Sequence, residues 1–485
     1  TQACERSGVV VATGGGAVID PRNRDLIRQS GMIVCLEASP QTIYRRLQED
    51  VEAPDSVRPL LEGPDPLLRI EHLKESREPF YAMADWTVHT DNLTVAEVCA
   101  EIIRGRHYWM RSSPDGWNGG TGEKVVSEVV TPTARYPICT GWDILGELGP
   151  ELRKIGLCRT AHIISDEAVW SIYGEQIGSS LLRSNVTVTD FRISPGEASK
   201  TLETAAKIYD WLVGCRAERE DWVIALGGGV VTDLAGFVAA TFLRGMPLVH
   251  VPTSLVGMVD AAIGGKTAVN HASAKNLMGV FYQPRIVWCD LRTLTTLPSR
   301  ERISGWSEVI KHGAILDAAL FDFLHDNAGG LLDLEPRCTT EAIGRSARVK
   351  SAIVSEDEKE KGRRTLLNYG HTIGHALESA TGYQRFLHGE AVSIGMAGAA
   401  MLSRQMGLAS DETVERQFRI LREFGLPTSC SGVSPGKVLQ AIELDKKVKN
   451  QSVRWVLVEA IGRAIIRDDV PDEKVLEVVG ELARS

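Results

Sequence analysis

Nothing in this sequence limits its fold more than the run from Asp221 to Gly245, DWVIALGGGVVTDLAGFVAATFLRG. An uninterrupted apolar strand runs into three glycines and then into a helix-like stretch. A strand without polar alternation is buried on both faces, which is the habit of parallel sheets covered by helices. The glycines Gly227, Gly228 and Gly229 lack side chains, so backbone N–H groups can approach an anion. A helix beginning there adds the positive end of its dipole, a ready seat for a pyrophosphate. The spacing is not G-x-G-x-x-G, however, and the same glycines would also serve a plain tight turn.

Strand candidates recur around this unit at 161–165 (AHIIS), 186–193 (VTVTDFRI), 247–251 (PLVHV) and 285–290 (RIVWCD), separated by helical patterns. Such alternation predicts a largely parallel sheet with helices on its faces. From about Pro298 helical periodicity dominates, apart from a late strand signal at 453–458. The N-terminal 105 residues alternate strand-like runs (VVVAT, MIVCLEA) with charged helical stretches. The glycine- and tryptophan-rich segment 106–135 reads as a linker. The expected fold is therefore α/β: a segment at 1–105, a linker at 106–135, a nucleotide-binding α/β domain at 136–298 and a mainly helical domain at 299–485. VVVATGGGAVID at 9–20 looks like a second strand-to-glycine unit. Because the chain opens on TQACERSG without a methionine, its start is expected to be a cut.

A net charge of −9 argues against a nucleic-acid partner, since phosphate-backbone binding needs a basic surface. The apolar run Ala391–Leu402 is too short to span a bilayer, so no membrane segment is expected. Nine cysteines without a C-x-x-C pair fit reduced thiols in a cytoplasmic protein. DAAIGGKT at 260–267 mimics a phosphate loop, but Asp260 stands where the first glycine is required and would repel a triphosphate.

His371 and His375 lie four apart in NYGHTIGHALE, hence on one face of a helix. His388 follows in LHGEAV and Glu308 precedes in WSEVIKHG. Two histidines and a carboxylate with an open position would make a catalytic zinc-type site; any one of these histidines alone is better explained by solvent or core contacts, and it is the clustering of three within 18 residues that brings the metal reading level. Basic residues punctuate the same half: Arg244, Lys266, Lys275, Lys311, Lys350, Arg364 and Lys447. Several sit in apolar or glycine-rich surroundings, as Lys266 does in IGGKTAV, where a cation needs an anionic partner. A multiply charged small substrate would supply one.

Together, IALGGGVVTDLAGFVAAT, VPTSLVGMVDAAIGGKTAVN, KNLMGVFYQP, EVIKHG, LNYGHTIGHALE, LHGEAV and DKK resemble the 3-dehydroquinate synthase family from about residue 136 to 485. The resemblance implies a metal, zinc or cobalt, on Glu308, His371 and His388, with His375 as a catalytic, phosphate-contacting group rather than a fourth ligand. It implies NAD along Asp166, Glu197, Lys200, the Gly227–Gly229 turn, Asp233, Thr253, Ser254 and Thr296. It implies a phosphorylated sugar acid held by Asp260, Lys266, Lys275, Asn276, Lys311, Lys350, Arg364, Asn368, His375 and Lys447. Arg244 would reach in from the second subunit of a homodimer. Lys266, Lys311 and Asn368 join His375 among the catalytic groups, and Glu360 matches an acid–base candidate. One departure is Ala168, where fungal relatives often place an asparagine.

Residues 1–105 resemble the C-terminal part of shikimate kinase through TGGGAVI, RPLL around Arg58 and REPFY around Arg77. The strand and G-x-x-x-x-G-K-[ST] loop that hold ATP phosphates in that family are missing from this stretch, so the piece is expected not to be a kinase, although its parent is expected to be bifunctional. The activity implied for the larger part is conversion of 3-deoxy-D-arabino-heptulosonate 7-phosphate to 3-dehydroquinate and phosphate. Three rivals stay open from sequence: another sugar-phosphate cyclase, a metal-dependent alcohol dehydrogenase of related fold, and a catalytically dead scaffold.

Overall fold

The computed structural model describes residues 10–13, 16–30, 33–49, 65–81, 84, 86–91, 93–99, 101–102, 125–156, 159–271, 274–449 and 453–484. Two compact units divide the chain, Thr1–Gly122 and Glu123–Ser485.

In the first unit, β1 (Val34–Glu37) and β2 (Trp86–His89) pair in parallel, joined by helices α2 (Pro40–Glu49) and α3 (Pro66–Tyr81) and preceded by α1 (Pro21–Ser30). Lys74 ties α3 back to the strand end, donating to the Ala38 carbonyl at 3.0 Å and pairing with Glu37 at 2.8 Å. The strand expected in VVVAT is not formed: residues 10–13 have no regular structure, and Val10 is 97% exposed. β-branched residues favour strands only where a neighbour can pair and cover them. Arg58 lies outside the described residues.

The second unit is built on a seven-stranded sheet in the order β3-β4-β11-β8-β7-β5-β6. These strands are β3 (Val125–Val130), β4 (Arg135–Gly141), β5 (Thr160–Asp166), β6 (Thr187–Ile193), β7 (Trp222–Gly227), β8 (Leu248–Pro252) and β11 (Ile286–Asp290). All neighbours are parallel except β3 with β4. The linker reading of 106–135 therefore needs correction, because Val125–Val130 is an edge strand registered against β4. Its residues Val126 and Val129 pack with the helical core, a long-range contact that local composition does not reveal.

In β7, Trp222, Ile224 and Leu226 enter one core with α4 (Leu148–Ile155) and α5 (Glu167–Arg183). Val223 and Ala225 enter the other, with α6 (Leu202–Gly214) and α7 (Gly229–Thr241). That two-sided burial accounts for the absence of polar alternation. The chain leaves β5 to one side through β6 and then returns to build β7, β8 and β11 on the other. The carboxyl ends of β5 and β7 thus flank a topological switch point, where open α/β sheets bind ligands.

A hairpin of β9 (Lys266–His271) and β10 (Ala274–Phe281) follows a five-residue π-helical turn, Gly257–Ala261. This disposes of the phosphate-loop resemblance: DAAIGGKT runs from a helical turn through Gly264 and Gly265 into a strand, whereas a phosphate loop runs from strand into helix. The remainder is mainly helical, with α8 (Ser299–Leu316), α9 (Pro336–Glu356), α10 (His371–Ala380) and α11 (His388–Gln405) around one large core. A second hairpin, β12 (Trp455–Ala460) with β13 (Arg463–Arg467), closes that core through Val458 N–H to Ser403 Oγ at 3.0 Å. Among the described residues no helix is long and apolar enough to cross a membrane.

Candidate active site

At the end of β7, a Cβ on Gly227 would lie 2.6 Å from a Val231 methyl, and one on Gly228 would lie 3.3 Å from Ser254 Oγ. A side chain is excluded at Gly227 and crowded at Gly228, so the turn keeps its backbone bare. Gly228 caps α7 without a side-chain hydrogen bond; its carbonyl takes the Val231 and Thr232 amides, and the Gly229 and Val230 amides ahead of them are the ones placed to meet an anion. Thr253 N–H binds the Gly227 carbonyl at 3.0 Å, drawing the end of β8 to the same place. Asp166 ends β5 and accepts from Val169 N–H at 2.9 Å, capping α5. Buried Lys200 bridges Asp233 and Asn276. Burial pushes the Asp233 carboxyl up to about 6 although Lys200 opposes the shift. Glu197 accepts from Asn270 at 2.7 Å, and Thr296 Oγ1 lies 2.6 Å from the Tyr173 hydroxyl.

Further into the helical half, Glu308, His371 and His388 converge. His371 Nε2 is 3.8 Å and His388 Nε2 3.7 Å from Glu308 Oε1. These separations are too long for hydrogen bonds. Two donors each about 2.1 Å from one ion at a tetrahedral angle lie about 3.4 Å apart, so the trio has the dimensions of a metal site. Both carboxylate oxygens of Glu308 are buried without a hydrogen-bond partner, although Lys311 forms an ion pair with it, and a divalent cation fits that unmet demand. His371 Nδ1 faces the Tyr369 carbonyl at 3.2 Å, leaving Nε2 to act as the ligand atom. Burial, followed by Lys311, holds His371 well below the ordinary histidine value, which favours the neutral ring that metals require. His375, four residues on, stacks edge-on with His371 at 5.2 Å between ring centroids.

Close helix packing sets these distances. A Cβ on Gly389 would stand 1.9 Å from the Ser304 carbonyl oxygen, and one on Gly395 would stand 1.9 Å from that of Gly370. Backbones therefore touch where α11 crosses α8 and the start of α10. Gly370 itself adopts φ 79° as it turns the chain into α10.

Around the trio lie paired charges. Lys350, on α9, binds both the carboxylate and the carbonyl of Asp260, the latter at 2.8 Å. Burial pushes the Lys350 ammonium down to about 8 against the opposing pull of Asp260. Burial alone would raise Asp260, but Lys350 and Lys311 together hold it well below the usual carboxylate range. Lys266 pairs with Glu360, which also accepts from Asn368 Nδ2 at 2.6 Å. Glu360 sits at φ 55°, a left-handed conformation unusual for glutamate. Arg364 is buried and donates to the Gly264 carbonyl at 3.1 Å and to the Glu358 carbonyl, bracing the Gly264–Gly265 turn that leads to Lys266.

Models of the 3-dehydroquinate synthase N-terminal and C-terminal domains match residues 190–304 and 305–448. The 3-dehydroquinate synthase of Geotalea uraniireducens is 41% identical over 345 residues, covering 71% of this chain and 96% of that one. This chain belongs to the 3-dehydroquinate synthase family. The synthase of Citrifermentans bemidjiense is 43% identical over 327 residues, covering 67% of this chain and 90% of its own. Among solved structures, 2-epi-5-epi-valiolone synthase from Streptomyces hygroscopicus, with NAD+ and Zn2+ bound, is 28% identical with a TM-score of 0.67, covering 76% of this chain and 99% of that one. A 2-deoxy-scyllo-inosose synthase complexed with carbaglucose-6-phosphate, NAD+ and Co2+ is 26% identical with the same TM-score, covering 73% and 99%. The higher identities lie with the dehydroquinate synthases, so the rival cyclase reading is not favoured. A shikimate kinase model matches residues 1–105.

Arg244 occupies the turn Phe242–Arg244 at φ 66°, without an ion-pair partner among the described residues, and the Lys447 side chain lies outside them. Glu378 was not anticipated. It faces His388 Nδ1 at 3.4 Å and Lys275 Nζ at 3.5 Å. Its signal was present in the sequence, because positions 371, 375 and 378 follow the i, i+4, i+7 rhythm of one helix face.

Proposed function

We propose that the second unit converts 3-deoxy-D-arabino-heptulosonate 7-phosphate to 3-dehydroquinate and phosphate with NAD and one zinc or cobalt ion. The observation that carries this reading is the union of the Glu308–His371–His388 trio with Lys266, Lys275, Lys311 and Lys350, each already paired with a carboxylate. A neutral polyol would leave those cations to their carboxylates, whereas a substrate bearing carboxylate and phosphate can compete for them. The chemistry bound groups would supply is Lewis-acid polarisation by the metal and reversible hydride storage by NAD.

In this reading Glu308, His371 and His388 hold the ion. Asp166, Glu197, Lys200, Asp233, Thr253, Ser254, Thr296 and the Gly227–Gly229 turn receive the dinucleotide, the helix α7 amides taking its pyrophosphate. Asp260, Lys266, Lys275, Asn276, Lys311, Lys350, Arg364, Asn368 and Lys447 orient the substrate's charged ends. His375 and Glu360 move protons. Arg244 completes the site of a second copy in a homodimer. Exposed Leu243, Leu277, Val280 and Phe281, on that turn and on β10, support such an interface. Free thiols at Cys139, Cys215 and Cys289 are in keeping with the cytoplasm. Release of phosphate from the heptulosonate phosphate, with none from six-carbon sugar phosphates, tests the substrate; the reverse preference would make the chain a different cyclase.

Residues 1–105 contain no G-x-x-x-x-G-K-[ST], and we propose that this 485-residue polypeptide does not phosphorylate shikimate. A coupled ADP assay should give only background with shikimate and ATP. Shikimate-dependent ADP production above background would refute that.

A further inference from the structure

His388 has two ring nitrogens with different tasks. Nε2 points at Glu308, while Nδ1 faces Glu378 Oε2 at 3.4 Å. The other oxygen of the same carboxylate, Oε1, meets Lys275 Nζ at 3.5 Å. Glu378 is only 5% exposed, so its charge must be met by protein groups rather than by water. Lys275 belongs to β10 of the α/β half, and Tyr383, just beyond α10, places its ring 4.3 Å from the same ammonium. Lys275 is thus gripped from the helical half by a carboxylate and an aromatic face.

We infer that Glu378 is a positioning residue shared by two functions. One oxygen keeps the proton on His388 Nδ1 and so presents Nε2 as a ligand, and the other holds Lys275 toward the substrate. His371 receives only a carbonyl at the equivalent nitrogen, so the two histidines are oriented by acceptors of different charge. The inference rests on the metal assignment proposed above and adds to it a physical link between the metal centre and a cation on the opposite half of the unit. Glu378 touches neither ion nor substrate in this account; it acts through its two partners.

The test uses the full chain and two variants. Glu378→Gln keeps the shape but removes the charge, and its amide can turn a donor toward Nδ1, favouring the wrong tautomer. Zinc affinity, measured by competition with a chromophoric chelator, should weaken by about 10–100-fold. At saturating metal, KM for the heptulosonate phosphate should rise more than kcat falls. Lys275→Met leaves all three ligands intact, yet it should shift the visible spectrum of the cobalt-substituted protein, because Glu378 loses one of the groups that hold it. This variant keeps the question answerable if Glu378→Gln does not fold. A wild-type chain that binds no metal would overturn the metal assignment and this inference together. Metal binding by the wild type, with an unchanged cobalt spectrum in Lys275→Met or unchanged metal affinity and KM in Glu378→Gln, would overturn the sharing alone.

Discussion

His371→Ala should yield a folded chain that neither retains metal nor turns over substrate. In the proposed site the imidazole is one of three protein donors, and its Nε2 is held toward Glu308 by the Tyr369 carbonyl behind it. Removing a ligand outright should cost more metal affinity than the roughly 10–100-fold lost when an outer partner is removed. It also leaves Glu308 buried with Lys311 as its remaining cation. Metal analysis after gel filtration should find about one ion per wild-type chain and essentially none in the variant, and exogenous imidazole should restore part of both metal and rate. Full activity in the variant, or in metal-stripped wild type, would contradict the assignment.

Asp260→Ala should destabilise the fold by about 3–5 kcal/mol, because it strands a buried ammonium. Lys350 is 6% exposed and would keep only the Asp260 backbone carbonyl as a partner. The sign of the pH dependence follows from linkage. Burial already lowers Lys350 to about 8, below the value near 10.4 of an unfolded lysine, and Asp260 is what opposes that shift. Without Asp260 the folded lysine loses its proton at still lower pH. The folded variant therefore binds fewer protons than folded wild type below about pH 8, and its deficit in stability is largest there. The deficit should shrink as pH rises through 8. Denaturant melts at pH 6.5 and 9.5 check this, and an equal deficit at both would show that the pair's charge is not what the site depends on.

The parts of this fold that were legible from sequence share one physical cause. β5, β7, β8 and β11 lie inside a sheet faced by helices, so their sequences carry apolar signals strong enough to stand without context. β3 did not, because its register depends on β4 and on α9, which are remote from the tryptophan- and glycine-rich stretch before it. The β9–β10 hairpin was hidden for another reason. Its Ala274–Phe281 strand is largely exposed, so no core face imposes alternation on it, and IGGKT invited a phosphate-loop reading.

At the site, histidines four apart and a carboxylate upstream pointed to a metal because few structural roles demand that set. Which cation meets which acid could not be read from the chain. The Lys350–Asp260 and Lys266–Glu360 pairs bridge segments about ninety residues apart, and although Glu378 shares a helix face with His371 and His375, its pairing with Lys275, 103 residues upstream, leaves no mark in the sequence.

The most direct measurement is to supply the heptulosonate phosphate in large excess over NAD and follow phosphate release together with absorbance of the reduced cofactor. A hydride that is taken up and returned within one site makes NAD catalytic. Phosphate should accumulate far beyond the NAD present while free NADH stays near zero. NADH rising one for one with substrate consumed would show a dehydrogenase and contradict the account.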